Sequence, residues 1–126
     1  SSGDIRSTNQ LTPTSLKVEV WGGCGTIDLS LDISRGDFSL NLGTTDFKLR
    51  GRCGIAYVFS GAYGLYDGKD LKTEFTFITN KGSNDCYVNC LQSLVATIGS
   101  IGNIYYSGYP ILNTDIYGTG KVIKLP

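Results

Sequence analysis

Residues 84–102, Asn-Asp-Cys-Tyr-Val-Asn-Cys-Leu-Gln-Ser-Leu-Val-Ala-Thr-Ile-Gly-Ser-Ile-Gly, constrain this chain more than any other stretch, because they carry helical spacing and two of its four cysteines. Tyr87, Leu91, Leu94, Val95 and Ile98 recur at the interval that lines one face of a helix. Asn84 and Asp85 can cap the first turn by accepting hydrogen bonds from free backbone N–H groups, and Gly99 can end it in a left-handed conformation. The spacing predicts a helix over about 86–99, packed on a sheet.

On such a helix Cys86 and Cys90 share a face with Cβ directions poorly placed for a bond between them. Each would then reach out to Cys24 and Cys53. If the helix begins only at Cys90, the pairing of Cys24 with Cys53 and Cys86 with Cys90 survives, and both schemes stay open. The chain has no histidine, and its cysteines lack the paired short spacings of a zinc site. Disulfides in an oxidising compartment are therefore expected rather than a metal.

The rest of the chain reads as strands. Leu16, Val18 and Val20 alternate with Lys17, Glu19 and Trp21, and Ile27, Leu29, Leu31 and Ile33 alternate with Asp28, Ser30 and Asp32, the period of a half-buried strand. Phe38, Leu40 and Leu42, then Phe47 and Leu49, continue the pattern across short polar turns, which predicts an antiparallel meander with one wet face. Residues 54–60 contain an unbroken apolar run and read as a central strand covered on both faces. Residues 71–79 and the segments 103–107, 111–117 and 121–125 close the set, and no internal repeat is convincing. The expected fold is mainly β, an antiparallel sandwich or small barrel with one helix, spanning 16–126 behind a flexible or surface-lying arm at 1–15.

At 126 residues one domain and one core are available. Eleven basic residues balance eleven acidic ones, so net charge draws the chain to neither nucleic acid nor an anionic membrane. No apolar run approaches the length of a membrane span, and no N-terminal signal is present; a secreted protein would have lost its signal before Ser1. No Asn-X-Ser/Thr acceptor occurs.

The absence of histidine removes the Ser-His-Asp and Cys-His mechanisms. Glu19 and Glu74 are the only glutamates; as a carboxylate pair they could cleave a glycosidic bond, but both lie opposite the apolar positions of their strands, where solvated charges ordinarily sit. No catalysis, cofactor or metal is expected. Lys48, Arg50 and Arg52 form a basic stripe that can pair across strands with Asp28 and Asp32. Arg35-Gly36-Asp37 spells an integrin-type tripeptide and is also ordinary turn chemistry.

Tyrosine carries the functional signal. Eight tyrosines, several beside glycines, offer an apolar face and a polar tip suited to recognition. Tyr63, Tyr66 and Asp67 are the leading contact candidates, with Tyr106, Tyr109 and Trp21 behind them. These features point to a secreted, disulfide-stabilised binding domain for a cell-surface glycan or protein, as in an adhesin, effector or toxin-binding module. A structural subunit of a pilus, fibre or coat is the alternative, with oligomerisation through strand edges. A protease inhibitor is a lesser one.

Overall fold

The computed structural model describes residues 4–7 and 9–126. Nine strands follow in order: β1 (Ile5–Arg6), β2 (Ser15–Trp21), β3 (Thr26–Leu42), β4 (Asp46–Ser60), β5 (Tyr66–Asn80), β6 (Cys86–Ile98), β7 (Ile104–Ser107), β8 (Ile111–Ile116) and β9 (Val122–Lys124). Every pairing between them is parallel, and β3 to β6 stack as four successive coils. The molecule is a β-solenoid, not an antiparallel sandwich or barrel. Thr26 lies beside Asp46 and Leu40 beside Ser60, a step of 20 residues, whereas Cys86 lies beside Ile104 and Ile98 beside Ile116, a step of 18. The chain therefore has a structural repeat.

The coils share a corner. In β3 the buried positions are Ile27, Leu29, Leu31 and Ile33, then two consecutive exposed residues, Ser34 and Arg35, then Gly36, Phe38 and Leu40. Two adjacent outward residues reset the two-residue period, because the chain turns a corner there. The same break recurs at Gly54-Ile55 in β4, Glu74-Phe75 in β5 and 91–93 in β6. Two walls result, joined at the corner and closed on the other side by turns. The core lies between them: Phe38 of the second wall meets Phe47 and Tyr66 of the first, with ring centroids 5.9 and 6.5 Å away.

No helix occurs among the described residues, and the expected helix at 86–99 is strand β6. Cys86, Val88 and Cys90 point inward on the first wall and Leu94, Ala96 and Ile98 on the second, all at most 3% exposed. The corner between them shifts the period by one position, so that Leu91, Leu94, Val95 and Ile98 mimic helical spacing. Leu91, half exposed, points outward. Residues 54–60 are not covered on both faces either; Ala56, Val58 and Ser60 are buried, while Ile55, Tyr57 and Phe59 face outward. In the N-terminal arm, Ile5 and Arg6 pair with β3 and Leu11 bridges to Leu31; residues 1–3 and 8 lie outside the described residues.

The turns are held by side chains that satisfy the next coil's backbone. Asp46 accepts from Leu65 N–H at 2.7 Å, Asp85 from Asn103 N–H at 3.0 Å, and Asn103 from Lys121 N–H at 2.8 Å. Asn80, wholly buried, donates to the carbonyls of Asn84 and Asn103 and accepts from Gly82 N–H. Gly102 sits where a Cβ would run into the Asn84 carbonyl oxygen of the coil beneath. Two replacements test this stacking. Asn80→Ala would strand the Gly82 N–H and the Asn84 carbonyl, the Asn103 carbonyl keeping Cys86 N–H, and lower unfolding free energy by roughly 2–4 kcal/mol. Gly102→Ala would force two coils apart at roughly 2 kcal/mol or more. Urea denaturation measures both; a change under 0.5 kcal/mol in either would contradict the packing.

Candidate functional site

Outward positions divide by chemistry. The first wall presents Asp28, Ser30 and Asp32 from β3, Lys48, Arg50 and Arg52 from β4, then Asp67, Asp70 and Lys72 from β5. Parallel register sets Lys48 between Asp28 and Asp67, and Arg52 beside Asp32. Arg50 is paired with Asp28, and Lys69 approaches Asp67 at 3.5 Å. The basic stripe thus runs beside acidic residues on its own wall, and Arg50 is ion-paired with one of them. Farther along the same wall Tyr87 and Tyr105 stack with centroids 5.0 Å apart.

The second wall is different. Across β4, β5 and β6 its outward residues are Ile55, Tyr57 and Phe59, then Phe75, Phe77 and Thr79, then Ser93, Val95 and Thr97. None is charged. Tyr57 and Phe77, neighbours in register, stack at 5.1 Å with planes 9° apart, and the Arg35 guanidinium covers the other face of Tyr57 at 4.6 Å. Beside this ladder runs a second one, Glu19, Ser39, Phe59 and Thr79, through β2 to β5. Between the two ladders lies an open trough of about 330 Å³, floored by Phe38 and Val58. Charges lie at its β2/β3 end, already paired: Lys17 with Glu19 at 3.2 Å and Arg35 with Asp37 at 3.1 Å.

The residues expected to bind are dispersed. Tyr66 is 2% exposed and belongs to the core, where burial raises its phenol well above the ordinary range. Asp67 is on the charged wall, and Tyr63 is 69% exposed in the closing turn. Tyr106 is half-buried against the core, and Tyr109 lies under the Lys124 ammonium at 4.2 Å. Trp21 stands at the other end, in a cleft with Asp4, Val20 and Cys24. Glu19 and Glu74 line different clefts and form no carboxylate pair. Arg35-Gly36-Asp37 is no hairpin turn but part of β3, with Gly36 buried and the two charges on each other. Tyr57, Phe59, Phe75 and Phe77 are the residues the sequence reading missed as a surface.

All four cysteines are free: Cys24 exposed, the others buried. Cys86 and Cys90 are four residues apart along a strand, about 13 Å at its rise per residue. Cys53 is two coils from Cys90 in register, about 10 Å, and farther from Cys86, which lies two coils from Phe47; a disulfide tolerates no more than about 7 Å. Each of the three connectivities includes one of these pairs, so the expected disulfides have no geometric basis. Burial raises the Cys53 thiol to about 11 and the Cys86 thiol to about 12.

These elements define a parallel β-solenoid with one charged wall and one wall whose middle coils, β4 to β6, are aromatic and uncharged. The chain belongs to the family described as "Putative auto-transporter adhesin, head GIN domain", whose profile matches residues 1–110. Two crystal structures described as of putative adhesins share the fold. The one from Bacteroides fragilis NCTC 9343 has a TM-score of 0.89 at 25% identity, and the one from Parabacteroides distasonis ATCC 8503 a TM-score of 0.85 at 17%. Each alignment covers 98% of this chain but only 56% and 54% of theirs, so the chain spans little more than half their length. No curated protein matches the chain.

The thiols give a direct test. Under native conditions a thiol reagent should label one cysteine per chain, Cys24, and all four in denaturant; labelling of none in denaturant would show disulfides. Because folding raises the pKa values of Cys53 and Cys86, the stability they confer is whole below the unfolded value of 9.0. It is lost as pH rises through about 11 and about 12. Melting temperature should fall across that window, and less steeply in Cys86→Ala.

Proposed function

We propose that this domain is a non-catalytic adhesive module, acting at the cell surface or outside the cell, that binds a surface partner through the outer face of its second wall. The observation that carries the reading is the segregation of charge. Nine outward positions over three coils hold four aromatic rings, two other apolar residues and three hydroxyls without one ionised group. A contiguous apolar face of this kind on a protein surface marks an interaction site. Family membership and the adhesin descriptions of the two similar structures support the same class. The missing histidine and the separated glutamates support the absence of catalysis.

Flow cytometry of the labelled domain on a panel of intact animal, plant and bacterial cells tests it. Phe77→Ala should weaken binding tenfold or more, about 1.4 kcal/mol, while Lys48→Glu on the charged wall should leave it within twofold. The reverse pattern would contradict the assignment of the face.

A second reading, a subunit of a fibre, pilus or coat, is favoured by β8. Its register sets Leu112 beside Leu94 and Ile116 beside Ile98, both core residues, yet Leu112 and Ile116 are 41% and 46% exposed. A parallel edge with apolar side chains accepts another strand, whether from a further coil of the same chain or from the β2 edge of a second copy in a head-to-tail contact. Sedimentation should then show concentration-dependent growth that Leu112→Lys abolishes. A monomer at all concentrations would sink this reading.

A further inference from the structure

We infer that the ligand of the second wall is an uncharged glycan chain, held in the trough between the Tyr57–Phe77 ladder and the Phe59–Thr79 ladder. The inference rests on the adhesive reading of that face and names its ligand.

Charge is the first argument. Every ionised group lining the trough, Lys17, Glu19 and Asp37, already has a partner on the protein within 3.2 Å. A sialylated or sulfated chain would find each cation, Lys17 and Arg35, with a carboxylate already beside it, so its charge would gain no net attraction. A charged peptide would gain none either. A ligand without charge disturbs neither ion pair.

Shape and chemistry point the same way. The trough runs across the strands, so its walls are built from side chains one coil apart, about 4.8 Å along the stack. An extended hexose chain advances by a comparable distance per sugar, which lets successive rings meet successive coils. The ring faces of Tyr57 are taken by Arg35 and Phe77, so the Tyr57–Phe77 stack offers its edges as a wall. Phe59, by contrast, stacks on no other ring: it lies over Gly61, stays partly exposed and has Ser39 and Thr79 as register neighbours, so the side of its ring turned to the trough can meet the C–H face of a sugar. The hydroxyls of Ser39 and Thr79 on the same ladder can donate to and accept from sugar hydroxyls. Apolar walls with a few neutral polar groups are the composition of a small-molecule site that reads hydroxyls rather than charge.

The test measures binding of the purified domain to immobilised cellohexaose, mannohexaose, xylohexaose and N-acetyllactosamine, beside sialyllactose and heparin, from 50 mM to 500 mM NaCl. The expected result is binding to at least one neutral chain, changing less than twofold with salt. Phe59→Ala should weaken it tenfold or more. Thr79→Arg, which adds charge to the trough without removing a ring, should do the same with an unchanged circular dichroism spectrum. Binding confined to sialyllactose or heparin and falling steeply with salt would overturn the inference while leaving the face as the adhesive surface. So would cell binding that Phe77→Ala abolishes, that protease treatment of the cells removes, and that no glycan competes for. If cell binding survives both Phe77→Ala and Thr79→Arg, the adhesive reading of the face fails as well.

Discussion

The structure depends on parallel backbone pairing that sets each coil in register on the one before. Parallel strands cannot be joined by a tight hairpin; here the remainder of each coil is the crossover. Once Leu40 lies beside Ser60 and Ser60 beside Asn80, inward side chains stack on their counterparts one coil away, interrupted at the register shifts around Leu49 and Leu71. The core is thus a set of columns, such as Phe38, Val58, Ile78 and Ala96, whose summed volume must be filled from both walls. The closing turns follow the same rule, with Asp46, Asp85 and Asn103 each tying down the backbone one coil farther along.

That register also creates the two surfaces. Outward side chains stack as strictly as inward ones, so a property repeated in successive coils becomes a stripe. Asp28, Lys48 and Asp67 make a stripe of alternating sign. Tyr57 and Phe77 make an aromatic one. A rigid lattice of this kind presents its surface with little conformational entropy left to lose on binding, which suits an adhesive role better than a mobile loop would.

Much of this was legible in the residues. The alternation at 27–33 and 47–49 marked the right inward faces, and the aspartates and basic residues of the first wall were recognisable as partners. Strand direction was not, because a two-residue period is the same in parallel and antiparallel sheets. Ser34-Arg35-Gly36-Asp37 reads as a hairpin turn but is a corner, and the corner of β6 counterfeits helical spacing. The repeat was hidden because its columns mix residue types and its step shrinks from 20 to 18. One signal was available: Gly64, Gly82, Gly102 and Gly120 recur at intervals of 18 to 20, each where a Cβ would strike a carbonyl of the coil beneath. The candidate tyrosines are not gathered on one face, for a related reason. Tyr66 went to the core and Tyr63 and Tyr109 to exposed turns, whereas the rings that stack into one face came from the apolar run at 55–59 and from Phe75 and Phe77, whose outward alternation the run concealed.

The most direct measurement is the pattern of nuclear Overhauser contacts between backbone protons of the labelled domain. Parallel coils predict contacts at a constant difference in residue number, from Phe38 to Val58, Val58 to Ile78 and Ile78 to Ala96. Contacts at a constant sum, with Leu31 facing Leu40 across a turn at Arg35-Gly36, would show an antiparallel meander. The columns, the two walls and the trough would then all be lost.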